Sequence, residues 1–120
     1  MSIKILIVED ELLIQKSLKK ILEKKGAQVT ATAQGKDAIE LILNENFDKI
    51  ICDLMLQDIT GFDVIEESRK KYSVQQISSK FIIMTAYGSS QVLEKALSYG
   101  CRVFNKPFED MDATIKAFLE

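Results

Sequence analysis

The sequence contains no histidine among its 120 residues. This absence excludes catalysis by Ser-His-Asp or Cys-His groups, zinc binding through imidazole rings, and a role as a phosphohistidine donor. Any chemistry in the chain must therefore depend on carboxylates, hydroxyls, lysine side chains and backbone groups.

Cysteine is scarce as well, and the two copies, Cys52 and Cys101, lie far apart and form no CxxC pattern. We expect two reduced thiols buried in strands, as is typical of a cytoplasmic protein. Long apolar runs are also missing, which argues against a membrane span. Glu9 and Asp10 interrupt the first apolar run early, which argues against a secretory signal.

The sequence also lacks a surplus of positive charge, because 16 basic residues accompany 18 acidic ones and the formal net charge is -2. We therefore expect no direct binding to nucleic acid, whose phosphate backbone selects basic surfaces. Apolar residues, in contrast, make up 47% of the chain. This is enough for one hydrophobic core, and the length predicts a single domain spanning residues 1–120.

Two kinds of segment alternate along the chain. Five short apolar runs predict strands that are covered on both faces, at Lys4–Val8, Gln28–Ala33, Lys49–Cys52, Phe81–Met84 and Cys101–Phe104. Five segments with helical spacing begin near Ile14, Ala38, Phe62, Val92 and Met111. Gly26 and Gly100 are predicted to end the first and fourth helices. The polar stretch Ser73–Lys80 predicts a solvated loop.

This alternation of five strands with five helices indicates an α/β fold with a parallel sheet and right-handed crossovers. In an open parallel sheet, ligands bind at the carboxyl ends of the strands. The residues found there are Glu9, Asp10 and Glu11 after the first strand, Asp53 after the third, Thr85 and Ala86 after the fourth, and Lys106 and Pro107 after the fifth.

Each of these residues has a purely structural interpretation when it is taken alone. The first three acids suit the start of a helix, Asp53 suits a turn, and Thr85 suits a helix cap or a satisfied strand hydroxyl. Lys106 suits a solvated surface and Pro107 the end of a strand. Because all of these interpretations would have to hold together at one edge of the sheet, the coincidence favours a common site.

Carboxylates that lie within a few ångströms of one another repel, and a bound cation offsets that repulsion. Mg²⁺ prefers oxygen ligands and needs only one or two carboxylates together with a substrate phosphate. Aspartate accepts phosphoryl groups as an acyl phosphate, and hydroxyl and ammonium groups bind phosphoryl oxygens. The residues therefore predict a phosphoryl site that depends on Mg²⁺, with Mn²⁺ as an alternative ion.

Four motifs follow one another in the chain: LIVED at Leu6–Asp10, DLMLQDITG at Asp53–Gly61, MTA at Met84–Ala86 and KPF at Lys106–Phe108. With these motifs, essentially the whole chain resembles the receiver domain of two-component response regulators. The resemblance implies a flavodoxin-like (βα)5 fold with a doubly wound parallel five-stranded sheet of order 2-1-3-4-5. It also implies a phosphoacceptor similar to chemotaxis regulators, and not an enzyme that turns over external substrates.

The resemblance assigns the metal ligands. It implies that Asp10 is the main Mg²⁺ ligand, with Glu9 acting beside it directly or through water. Asp53 is expected to bind the same ion, and the backbone carbonyl of Met55 is expected to be the third protein ligand.

The resemblance also assigns the phosphoryl ligands, with Asp53 as the phosphoacceptor. After transfer, the Thr85 hydroxyl would bind a phosphoryl oxygen and draw its loop inward. The backbone N–H of Ala86 would hold the same group, and Lys106 would pair with another oxygen. A cis peptide bond between Lys106 and Pro107 is implied, which would fix the direction of the lysine.

The chain departs from the family pattern at a few positions. Gln57 replaces the usual proline four residues after the acceptor, which loosens that loop, and Glu9 replaces a frequent aspartate. The segment before Lys106 is one residue short, so the position of the aromatic switch holds Val103, with Phe104 next to it. Either Phe104 serves as the switch or an aromatic switch is absent. Strand alternation favours a core position for Phe104 and therefore favours absence.

The resemblance predicts that the domain receives a phosphoryl group from a histidine kinase or a phosphotransfer protein and changes conformation to regulate a partner. The target is expected to be a separate downstream protein or an output domain beyond Glu120. Because Thr85 and Lys106 border them, the helix that begins near Val92, the last strand and the last helix are expected to form the readout surface.

Two other functions stand as alternatives. A receiver-like interaction module that is not phosphorylated should have lost an acid, the hydroxyl or the lysine, and none is lost. A phosphohydrolase with an aspartyl nucleophile usually has a second aspartate two residues later, where this chain has Met55.

Overall fold

Five strands and six helices make up the part of the chain that the computed structural model describes, which is residues 2–86, 89–106, 108 and 111–120. The strands are β1 (Lys4–Val8), β2 (Gln28–Thr32), β3 (Lys49–Asp53), β4 (Phe81–Thr85) and β5 (Arg102–Asn105). The helices are α1 (Leu12–Lys24), α2 (Gly35–Asn44), α3 (Gly61–Ser68), α4 (Val74–Lys80), α5 (Ser90–Ser98) and α6 (Met111–Leu119).

All five strands belong to one parallel sheet in the order β2-β1-β3-β4-β5. Since β1 pairs with both β2 and β3, the chain reverses its direction across the sheet after β2. With right-handed crossovers, this reversal puts helices on both faces. The predicted doubly wound α/β fold and its strand order are confirmed.

The core lies in two layers, one on each face of the sheet. Leu6 and Ile50 belong to the layer that α2, α3, α4 and α5 cover. Ile5 and Ile51, their neighbours along the same strands, belong to the layer that α1 and α6 cover. Because both faces are buried, the strands show continuous apolar runs in the sequence instead of strict alternation.

The segment from Ser73 to Lys80 overturns a prediction, because it contains the helix α4 and is not a loop. Ser73 accepts a hydrogen bond from the backbone N–H of Gln76, and the Gln76 side chain accepts one from the backbone N–H of Ser73. This capping box starts the helix. Ile77 then anchors it in the core. One buried side chain in a polar segment gives no helical spacing, which is why periodicity missed this helix.

The other boundaries agree closely with the predictions. β3 and β4 each run one residue further than predicted and end at Asp53 and Thr85. β2 ends one residue earlier, at Thr32, and β5 is shifted by one residue to Arg102–Asn105. Gly26 and Gly100 have φ values of 95° and 75° just after α1 and α5. These left-handed conformations end the two helices as predicted, and they favour glycine.

The two cysteines are buried, free thiols, as expected. Cys52 lies in β3, whereas Cys101 lies just before β5. Burial raises the pKa of the Cys101 thiol to about 11, which keeps it protonated near neutral pH. Within the described residues, no helix combines the length and the apolar character that a bilayer span requires.

Candidate functional site

The register of the sheet brings three acids together at the carboxyl ends of β1 and β3. Val8 lies opposite Cys52, so Glu9 and Asp10, directly after β1, lie beside Asp53 at the end of β3. Carboxylate oxygens of these three acids all lie within 4.8 Å of one another. Glu9 is 0% exposed and Asp53 is 3% exposed. The cluster therefore holds two carboxyl groups that are withdrawn from water.

Lys106 balances the charge of this cluster. Its backbone N–H donates to the carbonyl of Thr85 at 2.9 Å, which fixes the residue at the same edge of the sheet. Its ammonium Nζ donates to Asp53 Oδ2 at 2.6 Å and to Glu9 Oε1 at 2.7 Å. The lysine side chain is only 5% exposed. A buried ammonium thus links two acids that would otherwise repel each other.

Burial controls the protonation of Glu9. Loss of hydration raises the pKa of its carboxyl to about 7, although hydrogen bonds from Lys106 and from the Glu11 backbone oppose the shift. Burial alone would lower the pKa of Lys106, but its hydrogen bonds to Asp53 and Glu9 outweigh burial and raise it. Lys106 therefore stays charged, while Glu9 can change its protonation near neutral pH.

The loop after β3 closes around Asp53. Asp53 Oδ1 accepts a hydrogen bond from the backbone N–H of Met55 at 3.0 Å, and Met55 forms an antiparallel bridge with Thr60. Thr60 caps α3, which begins at Gly61. A Cβ at Gly61 would lie 2.5 Å from the Asp53 carbonyl oxygen, so only glycine permits this approach. The sequence motif that runs from Asp53 to Gly61 is therefore a closed loop built on the acid.

Thr85 and Ala86 lie at the end of the strand beside β3. Asp53 pairs with Met84, so Thr85 is one residue further along at the same edge of the sheet. Thr85 is buried and Ala86 is exposed. The hydroxyl and the acid thus share one edge. The predicted cis peptide bond falls on Pro107, which lies outside the described residues.

The donor set suits a hard divalent cation. Glu9, Asp10 and Asp53 supply carboxylate oxygens in one cluster, and oxygen is the ligand type that Mg²⁺ and Mn²⁺ prefer. Asp10 is partly exposed, so an ion can enter from solvent on that side. The hydrogen bond from the Met55 N–H to Asp53 Oδ1 also holds Met55, whose carbonyl is the predicted third ligand, beside this cluster. The residues present therefore fit the ion that the resemblance implies.

Alternation along β5 places Val103 and Phe104 on opposite faces of the sheet. Val103 packs against the layer that α2 to α5 cover, whereas Phe104 packs into the layer of α1 and α6. The Phe104 ring meets Phe118 edge to face, with 5.5 Å between the ring centroids. The residue of β5 that faces the α5 side of the sheet is therefore Val103, which is aliphatic and not aromatic.

An apolar pocket beside Lys106 was not predicted from the sequence. Its volume is about 310 Å³, and Leu13, Ile14 and Met111 are among its lining residues. The outer part of α1 next to it is also apolar, because Leu12 is 55% exposed and Leu13 is 82% exposed. Two adjacent leucines at the start of α1 lie outside its buried stripe, and this is the signal that sequence reasoning overlooked.

Sequence reasoning also missed two side-chain contacts around the site. The Gln15 side chain donates to the Glu9 carbonyl at 2.9 Å. Asp58, in the loop after β3, accepts hydrogen bonds from the backbone N–H groups of Gly35 and Lys36 at 2.9 Å each. The contacts of Asp58 join parts of the chain that lie 23 and 22 positions apart, so spacing along the sequence carries no signal for them.

A model of the response regulator receiver domain matches residues 5–118 of the chain. The chain therefore belongs to the response regulator receiver domain family. Together with its relatives and its acidic cluster, this makes it a phosphoacceptor signalling domain of the kind found in two-component systems. Receiver domains act as signalling switches and interact with histidine kinases, phosphotransfer proteins or output domains.

Sporulation initiation phosphotransferase F of Bacillus subtilis is 30% identical over 110 residues, which cover 91% of this chain and 86% of that protein. The response regulator SaeR of Staphylococcus aureus is 30% identical over 113 residues, which cover 93% of this chain. The chain spans about half the length of SaeR, at 47%.

Among solved structures, a CheY-like receiver domain protein from Methanospirillum hungatei superposes with a TM-score of 0.83. It is 30% identical in sequence, and the match covers 97% of this chain and 90% of that one. The likeness in fold therefore extends over nearly the whole length of both molecules.

Proposed function

We propose that Asp53 is the phosphoacceptor and that it receives its phosphoryl group from a phosphohistidine on a histidine kinase or a phosphotransfer protein. The observation that carries the proposal is the cluster of Glu9, Asp10 and Asp53 with Lys106 bonded inside it. Carboxylates from two separate strands are held together here around an ammonium group, and a purely structural sheet edge has no need of this arrangement.

Mg²⁺ would be held by Asp10, Asp53 and the Met55 carbonyl, and by Glu9 either directly or through water. Mn²⁺ has the same preference for oxygen ligands. When bound, the ion would neutralise charge on the phosphoryl oxygens. Asp10 is the accessible ligand because it is partly exposed, whereas Glu9 is fully buried.

In the proposed transfer, the P–N bond of the donor breaks and a P–O bond forms to a carboxylate oxygen of Asp53, with the two bonds in line. Lys106 is already bonded to Asp53 Oδ2 and can move its hydrogen bond to a phosphoryl oxygen while it keeps Glu9 as a partner. The Thr85 hydroxyl and the Ala86 backbone N–H would bind the remaining oxygens. Hydrolysis of the acyl phosphate would then reset the domain without turnover of an external substrate.

The donor protein must reach Asp53, and the apolar surface next to Lys106 is the face that we assign to it. Leu12 and Leu13 are exposed at the start of α1, and the pocket lined by Leu13, Lys106 and Met111 lies between α1 and the start of α6. Apolar side chains that border a charged site suit a specific protein interface. Exchange with a histidine kinase would place the chain in the cytoplasm.

The output surface that we propose consists of α5, β5 and α6, because Thr85 and Lys106 border it. Phosphorylation adds about -1.5 to -2 units of charge next to Thr85, enough to bias a loop with two conformations. Val103 faces the α5 side of β5 and Phe104 packs against Phe118 on the other side. We therefore propose that the switch acts through Thr85 without an aromatic partner in β5.

Intact mass spectrometry tests the assignment of the acceptor. Wild-type protein incubated with acetyl phosphate and Mg²⁺ should gain one phosphoryl group, and a chelator should prevent the gain. Asp53→Asn should remain unmodified, whereas Asp37→Asn, a control on the exposed surface of α2, should behave like wild type. A wild-type protein that stays unmodified with Mg²⁺ would overturn the proposal.

A further inference from the structure

One carboxylate docks the loop between β3 and α3 onto the start of α2. Asp58 Oδ1 accepts a hydrogen bond from the Gly35 N–H, and Oδ2 accepts one from the Lys36 N–H, both at 2.9 Å. The partners are 23 and 22 positions apart in the chain, so these bonds join two elements. They also satisfy two N–H groups at the start of α2, where Gln34 provides no side-chain cap.

Close packing adds a second constraint at the same place. A Cβ on Gly35 would lie 2.5 Å from Ile59 Cγ1 and 3.2 Å from Leu56 Cδ1. The side chains of the loop therefore fill the space that any side chain at position 35 would need. Leu56 and Ile59 are also packed against the core layer under α2 and α3. The tip of the loop is thus fixed by hydrogen bonds and by packing together.

The environment of Asp58 favours the ionised form that can accept both bonds. Slight burial raises the pKa of its carboxyl, but bonds from backbone N–H groups, led by that of Lys36, outweigh burial and lower it. The positive end of the α2 dipole favours the same charge. The docking contact is therefore formed at neutral pH.

The other end of this loop is the candidate site itself. The Met55 N–H is bonded to Asp53 Oδ1 at 3.0 Å, and Met55 bridges to Thr60. Residues 55–60 therefore form a closed loop with its base at Asp53 and its tip at Asp58. Gln57 stands in this loop instead of a proline, so the backbone has no rigid ring to limit its motion. The contact of Asp58 with α2 supplies a restraint at the tip.

We propose that Asp58 is a positioning residue, which holds the loop on α2 and thereby keeps Met55 and Asp53 in the arrangement that binds Mg²⁺. The inference rests on the proposed function, since it takes these two residues as metal ligands. Asp58 touches neither the ion nor the phosphoryl group, and acts through the backbone of the loop.

A pair of variants separates positioning from simple helix capping. Asp58→Ala removes both bonds, and the double variant Gln34→Ser with Asp58→Ala gives α2 a cap from its own N-cap position without reattaching the loop. Melting without metal and calorimetric titration with Mg²⁺ are measured for each. The double variant should regain most of the melting temperature but bind Mg²⁺ about tenfold more weakly than wild type. Gln57→Ala, an exposed change in the same loop, is the matched control and should bind like wild type.

Backbone NMR without metal provides the second readout. Asp58→Ala should shift the amide resonance of Met55, whereas a role confined to α2 would shift those of Gly35, Lys36 and the residues adjacent to position 58 and leave that of Met55 unchanged. If the double variant binds Mg²⁺ like wild type and the Met55 amide is unchanged, Asp58 is only a helix cap and the proposal is wrong. If wild type binds no Mg²⁺, the metal site itself fails, which the wild-type titration reveals separately. Should Asp58→Ala not fold, Asp58→Asn keeps one acceptor oxygen and should show a smaller effect in the same direction.

Discussion

At the scale of single residues, the site is defined by two buried carboxyl groups that share one buried ammonium. Glu9 and Asp53 are nearly inaccessible to water, and Lys106 is bonded to both of them. The sequence predicted that these residues follow neighbouring strands and meet at one edge. It did not predict that the lysine bridges two acids, because the position of a strand end does not give the direction of a side chain.

The bridging role of Lys106 makes it a residue that stabilises the fold when no metal is present. Lys106→Met keeps most of the volume but leaves Glu9 and Asp53 without their counter-charge. We expect a loss of about 3 kcal/mol in the free energy of unfolding, measured by urea denaturation in chelator. Lys116→Met, on the exposed side of α6, is the matched control and should change stability little. Equal stability of the two variants would show that the buried ion pairs do not stabilise the fold.

The raised pKa of Glu9 predicts how stability depends on pH. The pKa of this carboxyl rises from 4.5 in the unfolded chain to about 7 in the folded one, so folding takes up a proton between these values. Stability from this group is therefore full at low pH and is lost as the pH rises through that window. In chelator, wild type should lose melting temperature relative to Glu9→Gln between about pH 5 and about pH 8. Glu23→Gln, on α1, is the control and should follow wild type. If the melting temperature of Glu9→Gln fell relative to wild type over the same pH range, the raised pKa of Glu9 would be contradicted.

At the scale of elements, the sequence predicted every strand from a short apolar run and every long helix from the spacing of its apolar residues. It failed at α4, where Ile77 is the only buried residue and the rest of the helix is polar apart from the exposed Val74. The capping box of Ser73 and Gln76 was present in the sequence as a Ser-x-x-Gln pattern. Cap chemistry, and not hydrophobic spacing, was therefore the signal that identifies this helix.

If the capping box starts α4, its loss should be measurable. Ser73→Ala removes the side-chain oxygen that accepts the Gln76 N–H and should lower the free energy of unfolding by about 1 kcal/mol. Gln75→Ala, an exposed position in the same helix, should be neutral or slightly stabilising because alanine favours helices. Chemical denaturation of both variants measures the difference, and an equal effect of the two would mean that the cap is dispensable.

At the scale of the whole molecule, the alternation of elements predicted a parallel α/β fold, whereas the strand order came from the family resemblance. The pattern of residues does not say where the chain reverses across the sheet, and many orders satisfy the same sequence. Once the order is set, the register places Glu9, Asp10, Asp53, Thr85 and Lys106 at one edge. The docking of Asp58 on α2 remained hidden, because it depends on a loop and a helix that meet only in the folded molecule.

The central claim is that the phosphoryl group is carried by Asp53, at the place where acids from two strands meet. Borohydride reduces an aspartyl phosphate to homoserine, so reduction after treatment with acetyl phosphate and Mg²⁺ marks the modified residue. Peptide mass mapping should then find homoserine at position 53 only, and none when chelator replaces Mg²⁺. Homoserine at another acid such as Asp10, or none at all in a protein that is otherwise folded, would contradict the account.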